Sequence, residues 1–185
     1  MNPLFYRLTL SILLIASNVT LAENRLDSTL DPTTRRDLID AHNRWRAAVG
    51  VNPLRWADDL ATGAQQWADR LATDNACEMK HSRAEERQNT GENLYWASAV
   101  RWTNGRVETQ RIGGARVVDV WAEERHDFDL ATNTCRAGRV CGHYTQVVWH
   151  DSLEAGCAMQ RCQDQSQVWV CRYRPNGNWI GERPY

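Results

Sequence analysis

Six cysteines constrain this chain more than any other feature: four crowd into the last stretch, Cys141 to Tyr185, and only Cys77 and Cys135 precede it. What six thiols become depends on the compartment. Arg7 is the only charge before Glu23, Leu8 to Ile15 is an apolar run, and Thr20-Leu21-Ala22 supplies small residues at a cleavage site. That pattern reads as a signal peptide over residues 1–22. The apolar run is well short of the ~20 residues that span a bilayer. An exported chain meets an oxidising environment, so the six cysteines read as three disulfides. No Cys-x-x-Cys occurs, which argues against a zinc ribbon, and spacing by itself leaves every pairing open.

Composition matters where partners are concerned. The formal charge of −1 gives no basis for binding nucleic acid or an anionic membrane. No second hydrophobic run of spanning length follows the leader, so no transmembrane segment is expected in the mature chain. The remaining length suits one domain with one core, residues 35–185, behind a polar tether at 23–34. The expectation is a monomer, secreted and extracellular, or periplasmic if the source is bacterial.

Periodicity supplies the elements. Asp31-Pro32 signals a helix start, and Leu38, Ala41, Trp45 and Ala48 recur at helical spacing up to Gly50. His42 in that helix is expected to satisfy neighbouring backbone. A second helix runs from Asp58 to about Asp74, with Leu60, Ala64, Trp67, Ala68 and Leu71 on its buried face. Cys77 to Gly91 reads as a charged loop, Tyr95-Trp96 as a short strand, and Val100 to Gly114 as a second loop. A third helix is predicted from about Ala115 to Arg125, with Glu124 projecting from nearly the same side as Trp121. A short helix around His143 leads to two strand-like runs, Glu154 to Arg161 and Gln167 to Arg174, which form a hairpin across Cys162 to Ser166.

The chain carries no His-Glu-x-x-His, nucleophile elbow or glycine-rich phosphate loop. What remains is dispersed: His81, Glu92, Glu124 and His143. Neutral imidazoles bind zinc, and carboxylates beside them either lock the imidazole tautomer or act as general bases. Spacing alone does not show that four distant residues converge.

Four motifs in order now carry a resemblance. Gly142-His143-Tyr144-Thr145-Gln146-Val147-Val148-Trp149 resembles the first signature of the CAP superfamily, which covers cysteine-rich secretory proteins, antigen five and plant pathogenesis-related proteins. The run from Val168 to Trp179 resembles the second, and His42-Asn43-x-x-Arg46 and Gly91-Glu92-Asn93-Leu94 match two shorter family motifs. The likeness spans about Arg35 to Tyr185 and is strongest toward the plant pathogenesis-related branch and its bacterial relatives. It implies an α+β fold, a three-layer α-β-α sandwich around a central antiparallel sheet. It also implies the disulfides Cys77–Cys162, Cys135–Cys141 and Cys157–Cys171. Further, it implies a cavity lined by His81, Glu92, Glu124 and His143, with His81 and His143 able to hold a divalent metal such as zinc that the fold does not require. The segment from Ser82 to Gly91 is longer and more charged than in short plant members, so the rim of that cavity is expected to differ.

Three functions follow from the resemblance. The first is a secreted, non-enzymatic binding module for a sterol, fatty acid or other small hydrophobic ligand, with a defence or antimicrobial role. The second is an extracellular interaction or signalling protein that engages another protein. The third is a metal-dependent hydrolase or protease, with Glu92 or Glu124 as base, although two histidines are fewer than the three protein ligands usual at catalytic zinc.

Overall fold

The computed structural model describes residues 30–74 and 76–185. The leader at 1–22 and the tether up to residue 29 lie outside the described residues. Helix α1 (Pro32–Ala48) opens at the Asp31-Pro32 start signal. Asp31 caps that helix, its Oδ1 accepting the N–H of Thr33 at 2.8 Å and of Thr34 at 3.0 Å. Proline at the first helical position leaves no N–H unsatisfied.

The buried face of α1 is more polar than its apolar stripe suggests. Leu38 and Ala41 are buried, but Ala48 is exposed, Trp45 is half-buried, and His42 and Arg46 are fully enclosed. Arg46 donates to the carbonyls of Asn52 (2.6 Å), Val147 (3.0 Å), Trp149 (2.8 Å) and Ser152 (2.8 Å). Four carbonyls replace water around the guanidinium, which is what lets a buried charge stand without a carboxylate. Burial still pulls its pKa down to about 10.

The remaining elements are β1 (Arg55–Trp56), α2 (Asp58–Asp74), α3 (Ala84–Arg87), β2 (Gly91–Ala97), β3 (Val100–Arg101), β4 (Val107–Glu108), α4 (Gly114–Ala122), β5 (Phe128–Asp129), β6 (Thr134–Cys135), α5 (Gly142–Val147), β7 (Glu154–Arg161) and β8 (Gln167–Arg174). Helix α4 gives way to a 3-10 turn at Glu123–Asp127, so the third helix stops short of Arg125. The first charged loop contains α3, and the second contains the β3–β4 hairpin. Strand β2 starts at Gly91, four residues before Tyr95, because it pairs with β8 along its whole length.

The main sheet has the order β1-β7-β8-β2. Pairs β7–β8 and β8–β2 are antiparallel, and the two-residue edge strand β1 runs parallel to β7, so the sheet is mixed at one edge. A parallel neighbour requires a long crossover, supplied here by everything from α2 to α5. Strand alternation builds the layers. Val168 and Val170 of β8 face Ala64, Ala68 and Leu71 of α2. Trp169, Cys171 and Tyr173 face the other way, toward Leu38, Ala41, Trp121 and Val147. A strand buried on both faces reads as a continuous apolar run, as Val168 to Val170 does. Gly156 lets α2 lie against β7, since a Cβ there would collide with the Ala57 carbonyl and the Ala61 nitrogen.

Disulfides join Cys77–Cys162, Cys135–Cys141 and Cys157–Cys171. The first ties the end of α2 to the β7–β8 turn, and the third links register partners on adjacent strands. No helix among the described residues is long and apolar enough to cross a membrane.

Candidate functional site

The four residues singled out from the sequence come together in two histidine–glutamate pairs. His81, in the loop after α2, places Nδ1 2.9 Å from Glu92 Oε1 on β2. The same carboxylate accepts the Ser82 N–H at 3.0 Å and the Ser82 hydroxyl at 2.6 Å. Arg172, its register partner on β8, stands with Nε 3.9 Å from Glu92 Oε2. Burial alone would raise the Glu92 pKa; the hydrogen bonds from His81 and from the side chain and backbone of Ser82 outweigh it, and its carboxyl sits below the ordinary glutamate value.

The second pair joins the 3-10 turn to α5. His143 Nδ1 lies 2.6 Å from Glu124 Oε1, and Glu124 Oε2 accepts the N–H of His143 at 2.9 Å and of Tyr144 at 3.2 Å. Those are first-turn N–H groups of α5, which have no partner within the helix. The His143 ring stacks on Trp121, with centroids 6.3 Å apart and planes 14° from parallel. Trp121 is itself fixed by donating to the Leu94 carbonyl at 2.8 Å.

Strand β2 connects the pairs. Glu92 holds His81, and the next residue, Asn93, donates to the His143 carbonyl at 3.1 Å and to the Tyr173 hydroxyl at 3.3 Å. Gly91 makes room for α5, since a Cβ there would run into the Gln146 side chain. Tyr173 in turn meets His42 Nε2 at 2.8 Å, while His42 Nδ1 meets the Leu38 carbonyl at 2.8 Å. A carbonyl only accepts, so Nδ1 carries the proton and Nε2 accepts from Tyr173. Burial pushes the His42 pKa down to about 4, which keeps the ring neutral. His42 thus satisfies its own helix, as its position suggests, and also anchors the network behind the site.

Sequence reasoning overlooked three contributors. Ser82 directly follows His81 and needed only a test of its neighbours. Asn93 lies inside a quoted motif, where its motif membership hid its separate task. Arg172 becomes visible only once the β2–β8 register is known, because nothing in the chain marks it as the residue opposite Glu92.

Each glutamate binds its imidazole through Nδ1, which leaves Nε2 of a neutral ring with a lone pair for a metal. The orientation suits a histidine ligand. The number is smaller: among the described residues, no set of three or more His, Cys, Asp or Glu stands close enough together to hold a metal ion. The donors present therefore do not make up a closed structural zinc site.

Comparison with known proteins agrees with this architecture. The model of the CAP cysteine-rich secretory protein family matches residues 39–173. Pathogenesis-related protein 1C of Nicotiana tabacum is 39% identical over 185 residues, covering 100% of this chain and 95% of its own length. A pathogenesis-related protein of the PR-1 type from Sambucus nigra is 43% identical over 150 residues, 81% of each chain. Among solved structures, BmVAL-1 superposes with a TM-score of 0.66 at 24% identity, over 85% of this chain and 84% of that one. NaASP2 with Zn2+ gives a TM-score of 0.65 at 22% identity, over 84% and 86%. Helices on both faces of a disulfide-pinned sheet are the architecture these solved structures share with this chain. The chain belongs to the CAP family of cysteine-rich secretory proteins, and it is similar to plant pathogenesis-related proteins of type 1.

Proposed function

We propose that this protein is an exported, defence-related binding module whose paired imidazoles serve recognition. The observation that carries this reading is that neither glutamate is free. Each carboxylate accepts from its histidine and from at least one backbone N–H, and Glu92 is held ionised below its ordinary range. A general base works best with a pKa near the operating pH and with a lone pair facing substrate. These carboxylates instead orient imidazoles. His81 and His143 then present Nε2 to a divalent ion or to a polar group of a small amphipathic ligand such as a sterol or fatty acid. A related fold, NaASP2, is described with Zn2+, which supports zinc as the ion to try. Similarity to the tobacco pathogenesis-related protein and the three disulfides support an extracellular, defence-related setting.

The test uses the mature, disulfide-intact protein. Radiolabelled sterol and fatty acid are titrated for saturable binding, and zinc is titrated by calorimetry. A His81→Ala/His143→Ala double variant is expected to keep its circular dichroism spectrum and to lose zinc. Absence of saturable binding for both lipid classes sinks the binding module, and zinc uptake that survives the double substitution removes the two histidines from it.

A further inference from the structure

Away from both histidine pairs, a cleft of about 250 Å³ opens between the start of α1, the end of β1 and α2. Leu30, Trp56, Ala61 and Cys157 give it apolar walls. The charged groups at its rim are already engaged with one another. Arg35 Nε donates to the Leu30 carbonyl at 2.7 Å, its guanidinium lies 5.7 Å from the Trp56 ring centroid, and the Trp56 indole donates to Asp58 at 2.9 Å.

Two sets of polar groups beside the cleft have no such partner among the described residues. Gln65 lines it, with its amide nitrogen held on Asp69 at 2.7 Å and its amide oxygen buried and without a hydrogen-bond partner among the described residues. Asp69 fixes that orientation, because a flipped amide would set oxygen against a carboxylate. The second set is main chain. The Ala155 carbonyl accepts from the Ala57 N–H, so Ala155 faces the β1 edge of the sheet. Strand alternation turns the N–H and C=O of Cys157 to that same edge, two residues on. Strand β1 has ended by then, since its pairing with β7 stops at Trp56 and Ala155. The 4.1 Å Cα separation of Cys157 and Cys171 agrees, being that of an antiparallel pair that does not exchange hydrogen bonds.

We propose that this cleft binds a small apolar alcohol, with its chain against Trp56 and Ala61 and its hydroxyl between the Cys157 main chain and the Gln65 amide oxygen. A hydroxyl both donates and accepts, which is what an unpaired strand edge beside an orphaned carbonyl oxygen calls for. The volume has room for roughly eight heavy atoms at ~30 Å³ each. A linear alcohol such as 1-octanol is of about that size. The assignment rests on the binding-module reading for its ligand class and is independent of His81 and His143 for its place.

The probe is 1-octanol, added to the isotopically labelled mature protein while the indole N–H of Trp56 and the side-chain amide of Gln65 are followed by NMR. Saturable shifts at both are expected. Octyl methyl ether, which cannot donate, should bind about tenfold more weakly, as should 1-octanol to Gln65→Met. Ala61→Trp should fill the cleft and abolish binding, and Gln65→Met keeps the test open if the bulkier variant does not fold. His81→Ala/His143→Ala should leave the octanol titration unchanged. If 1-octanol leaves Trp56 unmoved while a sterol or fatty acid still binds saturably, this site is wrong and the binding module stands. If none of the three ligands binds, both fall.

Discussion

The two histidine–glutamate pairs look alike in connectivity and differ in what surrounds them. Glu92 is fully buried with the His81 side chain 52% exposed, whereas His143 and Glu124 are both mostly covered, at 25% and 19%. Glu92 is held by a hydroxyl, a loop N–H and a buried arginine. Glu124 is held by the two N–H groups that open α5. So the first carboxylate is part of a charge arrangement inside the α2 side of the sheet, and its histidine hangs from a loop. The second is a helix cap supplied from another element, and its histidine is clamped by a stacked tryptophan and a fixed main chain. The same pairwise contact is therefore a rigid post on one side and an adjustable arm on the other.

The largest expected effect separates the carboxylates. Glu92→Ala leaves Arg172 buried with its nearest counter-charge gone, and among the described residues Arg172 Nε already lacks a hydrogen-bond partner. A loss of about 3–5 kcal/mol is expected in urea unfolding. Glu124→Ala removes a cap and should cost about 1–2 kcal/mol. Equal losses would break the comparison, because Arg172 would then have another source of compensation. The double variant Glu92→Met/Arg172→Met sharpens the same point. Removing both charges together should recover stability to within about 1 kcal/mol of wild type, and a double variant no better than Glu92→Ala would place the cost in Ser82 and His81 instead.

A smaller effect probes the clamp. Trp121→Phe loses the bond to the Leu94 carbonyl and narrows the surface under His143. A loss of about 1–2 kcal/mol is expected, with NMR relaxation showing a looser His143 ring and an unchanged His81 ring. Equal loosening of both rings would mean that Trp121 supports the whole edge.

Acid titration comes last. Glu92 has a depressed folded pKa, so its contribution is present above the ordinary glutamate value of 4.5 and is lost as pH falls through its folded value. His42 is depressed from 6.5 to about 4, so stability is full above 6.5 and declines down to about 4. The His42 share should reach roughly 3 kcal/mol at about 1.4 kcal/mol per pH unit. Denaturant midpoints of Glu92→Gln and His42→Gln across pH 7 to 3 check this. The former should flatten the slope below the ordinary glutamate value and the latter the slope above about 4. A wild-type-like profile in either variant would refute that residue's share.

Much of this was readable from the chain. Helix α2 and both strands of the hairpin fall where periodicity puts them, because an amphipathic face and an alternating or continuously buried strand leave a mark in local sequence. Helical spacing from Trp121 drew attention to Glu124, although that residue lies in the 3-10 turn after α4. Three readings went differently for a common reason. The α1 stripe did not show that Arg46 and His42 are buried, since a polar side chain inside is explained only by carbonyls and hydroxyls brought from elsewhere. The start of β2 at Gly91 depended on eight-residue β8 being available to pair with it. The parallel edge strand β1 is two residues long and has no local signature.

By itself, the sequence determined the kind of molecule: a chain of the CAP family with six cysteines, and with two histidines and two glutamates in or beside its family motifs. Local patterning and motif order suffice for that, because both are properties of neighbours along the chain. Only the tertiary structure decided how those four residues are used. It split them into two pairs, set Arg172 beside one and Trp121 under the other, and ended the pairing of β1 with β7 before Cys157, across the sheet from β2. Register, side-chain burial and the meeting of distant elements are set by packing across the sheet, and no stretch of chain encodes its partner's position on the other side.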